Sequence, residues 1–192
     1  MIEKWVTMLI EFQRRIGIIQ DDDFNVYRYG YTLMIEVILC MTFSFVLGVL
    51  IGQMREVVFF LCIFIPLRSF CGGYHANKAW KCIVLSSFVI IGTVIISKVL
   101  ACIEISIFMR SVCIIILALF VILSAPVGDD NKEIDPREKK ALRGCSIITV
   151  TIELGVVALL IYKGMVIYYN IVLFSFVVQL VSMIFCRLNI LR

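Results

Sequence analysis

Apolar residues gather along this chain in long runs separated by short charged stretches. Residues 31–52 form the first run, with Glu36 as its one charged position. Residues 57–67 follow and are apolar for only 11 residues. At 1.5 Å per residue they reach about 17 Å, short of a hydrocarbon core of roughly 30 Å. That element must borrow flanking residues or stop part-way, and Pro66 near its end favours a stop. Further runs cover 82–102, 105–125 (with Arg110 inside), 145–162 and 165–186. The pattern predicts six membrane elements, one of them short or re-entrant. Before them, Ile2, Trp5, Leu9, Phe12, Ile16 and Ile19 recur at 3-4-3-4-3 spacing, which places them on one helix face. Lys4, Glu11, Arg14 and Arg15 fall elsewhere on the wheel. The spacing predicts an amphipathic helix over 1–20 lying in the membrane surface; the alternative is a helix that covers the protein's own core. Three aspartates at 21–23 end it.

Composition agrees with lipid as the main solvent. Hydrophobic residues make up 62% of the chain and charged residues 17%, against about half and a quarter in soluble domains. A surplus of that size cannot be hidden inside 192 residues. The expected class is an all-α polytopic membrane protein, with residues 1–192 as one integral membrane domain. The charges within the first 20 residues break any signal-type apolar core, so no cleavable signal peptide is expected. Eight cysteines are scattered without CxxC spacing. Most are expected to act as small buried hydrophobes, with neither a disulfide framework nor a redox pair among them.

The net charge is +4, and its placement sets orientation. Lys and Arg concentrate in the first 30 residues, in 68–81, in 126–144 and in the tail. Alternation through six elements puts all of these on one side. Both termini, the 68–82 segment and the 126–144 loop are therefore expected to face the cytoplasm. Within that loop an acidic half (Asp129, Asp130, Glu133, Asp135) precedes a basic half (Arg137, Lys139, Lys140, Arg143). Asp135 as N-cap and Pro136 at the first position predict a helix start. The basic half is either a solvated helix end that fixes topology or a docking site for an acidic peptide. No nucleic-acid motif and no convincing internal repeat is present.

The candidate chemistry lies in 68-RSFCGGYHANKAWKC-82, which contains the chain's single histidine. Imidazole is the usual partner that turns a thiol into a nucleophile, so His75 and Cys82 are a candidate pair. Gly72 and Gly73 allow a sharp backbone path and offer peptide N–H groups to an oxyanion. Arg68 is a fixed positive charge able to steady a carboxylate or a developing anion. Seven residues along an α-helix rise about 10.5 Å, whereas a hydrogen bond needs roughly 3 Å. A catalytic His75–Cys82 pair therefore demands a break within 75–82, with Cys82 near the start of the next membrane helix. The plainer alternatives are a hydrogen-bonded structural histidine and a packed thiol. Metal binding by Cys71, His75 and Cys82 matches no usual zinc spacing and lacks a fourth ligand. No metal and no cofactor is expected. Asn77 is the nearest polar residue able to orient an imidazole. Glu36 and Glu153 are intramembrane acids, and Lys98 is a cation able to pair with one of them.

The pattern R-x3-GG-x-H-A-x5-C, filled by Arg68, Gly72, Gly73, His75, Ala76 and Cys82, resembles the signature of the accessory gene regulator B family (AgrB). The segment 125-APVGDDNKEIDPREKKALR-143 is similar to that family's APV-x-x-x-NK stretch with its following basic cluster. The resemblance covers essentially the whole chain. It implies a bacterial membrane cysteine endopeptidase of Gram-positive quorum sensing that processes a short AgrD-type precursor into a cyclic autoinducer. It makes Cys82 the nucleophile and His75 its base, with Arg68 and Gly73 at positions important for function. Lys139 and Lys140 match a basic cluster implicated in processing, and Arg137 and Arg143 flank them. The implied partners are the bilayer and a precursor with an amphipathic N-terminal half and an acidic tail, with a homodimer left open. The rival classes are a non-enzymatic scaffold or sensor subunit and a small transporter. A transporter calls for several polar residues converging at mid-membrane, and the runs offer only Glu36, Lys98, Arg110, Glu153 and Gln179.

Overall fold

The structure, a computed structural model, describes residues 2–16, 24–73, 79–127 and 136–190. The described residues form seven helices: α1 (Ile2–Arg15), α2 (Phe24–Leu50), α3 (Met54–Cys71), α4 (Ala79–Ala101), α5 (Ile107–Ser124), α6 (Pro136–Tyr162) and α7 (Val166–Ile190). Five segments are long and apolar enough to cross a membrane: 30–50, 80–101, 107–124, 139–162 and 166–188. The chain is thus an all-α, multi-pass membrane protein. α3 is the sixth element of the hydropathy pattern and falls outside those five. It carries Arg55, Glu56 and Arg68 within 18 residues.

The expected stop at Pro66 does not occur. Proline removes one backbone donor, yet α3 continues through Pro66 to Cys71. Its 18 residues make a rod of about 27 Å, much longer than the apolar run alone. Membrane helices tolerate such prolines where neighbouring elements enclose them. α3 is so enclosed: Val57, Phe60, Leu61, Ile63, Leu67 and Cys71 are all buried.

α7 is the hub, packing on α3, α4, α5 and α6. Its buried residues Val172, Phe176, Gln179, Met183 and Cys186 recur every three or four positions, the spacing of one helix face. Val172, Phe176, Met183 and Cys186 join Leu67 and Cys71 of α3, Ile114 and Val121 of α5, and Val150 of α6 in the larger core. A second core joins Val57, Phe60 and Leu61 of α3 to Ile90 and Val94 of α4 and Ile171 of α7. The outward faces carry Phe88, Phe108, Ile148 and Leu159, all exposed, as expected where lipid rather than water is the neighbour.

α1 divides its faces between two tasks. Val6 and Ile10 are buried against Phe24, Tyr31 and Ile35 of α2, and the Tyr31 hydroxyl donates to Gln13 Oε1 at 2.9 Å. Leu9, Phe12 and Ile16 remain exposed. The helix thus covers part of α2 with Val6 and Ile10, while the described part of the predicted apolar stripe faces outward. The side chains of Ile2 and Trp5, and residue Ile19, lie outside the described residues.

Arg110 fastens one end of the bundle. It is buried, and its guanidinium donates to the Leu100 and Ile103 carbonyls at 2.9 Å each and to Asn170 Oδ1 at 3.1 Å. Asn170 in turn donates to the Ser97 carbonyl at 2.9 Å. A cation placed on the last carbonyls of α4 satisfies acceptors that the helix itself leaves open. Lys98 donates to Gln53 Oε1 at this same end. The pairing of Lys98 with Glu36 or Glu153 expected from sequence is therefore not made; the side chain reaches the nearby α2–α3 turn instead.

Candidate active site

The opposite end of the bundle holds the motif. α3 ends at Cys71, and its final carbonyls are claimed by three other parts of the chain. Ser146 Oγ of α6 donates to Phe70 O at 2.8 Å. Val127 N donates to Cys71 O at 3.0 Å. Gln179 Nε2 of α7 donates to Gly72 O at 2.7 Å. A helix C-terminus leaves carbonyls unpaired, and here they become the fastening points for the turn that follows.

Both glycines are required by geometry. Gly72 has φ 76° and Gly73 φ 139°, values that side-chain-bearing residues rarely adopt. Gly72 also forms a parallel bridge with Val127, so a Cβ there would strike the Val127 carbonyl oxygen. The two sequence motifs, the glycine pair and the 125-APV stretch, thus meet backbone to backbone. Over Gly73 passes the Arg68 side chain, whose Nη1 donates to Ser182 Oγ of α7; a Cβ on Gly73 would collide with both groups. One expectation changes here. The Gly72 N–H already donates to Arg68 O at 3.2 Å, so it is spent on capping α3 and is not a free oxyanion donor.

Helix α3 stops at Cys71, and Gly72 and Gly73 leave helical geometry; the break expected within 75–82 falls on residues outside the described ones. Cys82 lies in the first turn of α4, half-buried. His75 and Asn77 lie outside the described residues, 74–78. Beside Cys82, Trp80 and Lys81 are exposed, with Lys81 Nζ 5.9 Å from the Trp80 ring centroid. Such aromatic and basic residues anchor helix ends at a membrane surface.

Cys82 has a neighbour that sequence spacing did not reveal. Cys40 of α2 sits with its Sγ 3.7 Å from Cys82 Sγ. The two residues lie 42 positions apart and both are free thiols, so neither a disulfide nor a CxxC pair is present, and the contact is a thiol–thiol hydrogen bond that sequence spacing left unmarked. Most of the cysteines are not buried, contrary to expectation: Cys71 and Cys186 are, Cys62, Cys102 and Cys113 are exposed, and Cys40, Cys82 and Cys145 are intermediate. On outward helix faces a thiol meets lipid as readily as a core. Glu36 stands one helical turn before Cys40 and so shares the face that meets Cys82. Glu153 is buried in α6, and among the described residues neither of its carboxyl oxygens has a hydrogen-bond partner.

The described part of helix α6 runs from Pro136; the N-cap expected at Asp135 lies outside the described residues. Lys139, Lys140 and Arg143 are exposed on its first turns, while the Arg137 side chain is outside the described set. Gln179, Ser146 and Ser182 hold this turn through hydrogen bonds that sequence reasoning did not assign. Gln179 alone left a signal, as an amide inside an apolar run.

The fold and this end of the bundle define a helical multi-pass membrane protein whose two polar motifs converge on one pinned turn. Comparison with protein families gives a match to Accessory gene regulator B over residues 3–183. The chain belongs to that family, and its role lies in the accessory gene regulator quorum-sensing system. No curated protein and no solved structure gave a match.

Proposed function

We propose that this protein is a membrane cysteine endopeptidase that cleaves an AgrD-type precursor peptide and promotes its cyclisation to a thiolactone. The observation that carries the reading is the end of α3 at Cys71 and the turn at Gly72 and Gly73, pinned by Val127 and Gln179 directly ahead of the 75–82 stretch. An unbroken rod would hold residues 75 and 82 about 10.5 Å apart, so the reading requires that His75 and Cys82 not share one straight helix.

In the proposed reaction His75 takes the Cys82 proton, and the sulfur attacks a carbonyl in the precursor's C-terminal half. The tetrahedral intermediate collapses as His75 returns the proton to the leaving amine, so the C–N bond breaks and a thioester to Cys82 remains. The precursor's own cysteine then attacks the thioester carbonyl. A ring thioester forms, and Cys82 leaves as the free thiol. Lipid-facing surroundings limit hydrolysis of the intermediate, which retains much of the peptide bond's acylating power. Gly72 and Gly73 serve as structural support, and Arg68 braces the turn through Ser182.

In this reading residues 1–192 act as one domain, with 68–82 as its catalytic segment. Arg137, Lys139, Lys140 and Arg143 hold the precursor's acidic tail, and its amphipathic half lies on the same membrane surface. That surface is the cytoplasmic one, because the basic segments concentrate there.

Co-expression with a short amphipathic, cysteine-containing, acidic-tailed peptide tests the proposal by mass spectrometry. Cleaved and cyclised product is expected from the native chain and none from His75→Ala or Cys82→Ala. Product from either variant, or a thioester-linked precursor accumulating on Cys82→Ser, would sink it. A scaffold would tolerate both alanines.

A further inference from the structure

We propose that Cys40 is the resolving thiol of Cys82, so that an oxidant closes a reversible Cys40–Cys82 disulfide between α2 and α4. The two sulfurs stand 3.7 Å apart, with the Cys40 thiol directed at Cys82. A disulfide needs about 2.05 Å, so the gap to close is roughly 1.7 Å, within reach of a side-chain rotation and a small helix shift. Both residues are half-buried rather than sealed, which leaves a path for a small oxidant. Cys71 and Cys186, by contrast, are fully enclosed.

The chemistry balances with hydrogen peroxide as the named oxidant. The Cys82 sulfur attacks peroxide, the O–O bond breaks, an S–OH bond forms and one water leaves. The Cys40 thiol then attacks that sulfenic sulfur. The S–S bond forms, the S–OH bond breaks, and hydroxide departs as water with the Cys40 proton. Two thiols have given two electrons and two protons to one peroxide. A small dithiol reverses the step. Without a resolving thiol the sulfenic acid proceeds to sulfinic and sulfonic acids, which thiols do not restore.

The crosslink rests on geometry alone, whereas its effect on peptide processing rests on Cys82 as the proposed nucleophile. The full chain in nanodiscs is treated with peroxide, alkylated, digested without reductant and mapped by mass spectrometry. A peptide joining Cys40 to Cys82, lost on adding dithiothreitol, is expected. In Cys40→Ser the same dose should instead drive Cys82 to irreversible oxygen adducts. Processing by the native chain should fall roughly tenfold or more and return with reductant, because a disulfide sulfur holds no thiolate. Absence of the linked peptide at every peroxide dose, or equal over-oxidation of Cys82 in both proteins, overturns the pair. A linked peptide with processing unchanged overturns the switch and the nucleophile with it, while the mass map stands whether or not any processing is detected.

Discussion

At Gly72 and Gly73 neighbouring residues fail for different reasons when a methyl group is added. The Gly72 methyl would meet the Val127 carbonyl, which is backbone and cannot turn away. The Gly73 methyl would meet Arg68 Nη1 and Ser182 Oγ, the ends of two side chains. Both positions also have positive φ, a strain of about 1–3 kcal/mol for a residue with a Cβ. Gly72→Ala should therefore lower thermal stability more than Gly73→Ala, as read by size-exclusion chromatography after a heating series. The reverse order would mean that the bridge to Val127 does not form. The glycine pair was legible in the sequence as a sharp path. The objects it must avoid were not, because Val127 and Ser182 lie 55 and 110 positions downstream of Gly72. Cys40 was hidden in the same way: nothing in the spacing of residues along α2 points at a thiol on α4.

The C-terminus of α3 is the element on which the candidate site depends. With no hydrophobic drive to press helices together in lipid, packing and interhelical hydrogen bonds carry the association. Ser146, Val127 and Gln179 supply three such bonds to consecutive carbonyls. Gln179→Leu keeps the volume near native and removes the donor to Gly72 O. A loss of about 1 kcal/mol is expected from an interhelical bond of this kind, with the Gly72 carbonyl left unpaired beside a buried side chain. Hydrogen exchange at residues 68–73 should rise in this variant while α5 stays protected; unchanged exchange there would show that the other two bonds suffice. Hydropathy located the five helices long and apolar enough to cross a membrane, together with the apolar part of α3, because lipid demands long runs. It misplaced the end of α3 because Pro66 was weighed as a local breaker, whereas burial on several sides decides whether a helix tolerates it. The polar fastenings were invisible because a glutamine or serine in an apolar run carries no mark of its partner.

Across the whole molecule, polar contacts separate into two ends. One gathers Gly72, Val127, Ser146 and Gln179, together with Arg187, which donates to the Ser124 carbonyl at 2.9 Å. The other gathers Gln53, Lys98, Arg110 and Asn170. The basic-residue pattern along the chain predicts that the first end faces the cytoplasm. The protein carries its own reporters of that assignment. Cys102 is exposed just past the end of α4, at the end fastened by Arg110. Cys82 and Cys145 lie near the starts of α4 and α6, at the end fastened by Gln179. A membrane-impermeant maleimide added to intact cells should therefore modify Cys102 and leave Cys82 and Cys145 unmodified until the membrane is opened. Labelling of Cys82 from outside would reverse the orientation. It would also place the proposed nucleophile on the side away from a precursor made in the cytosol, so the same experiment bears on topology and on access to substrate.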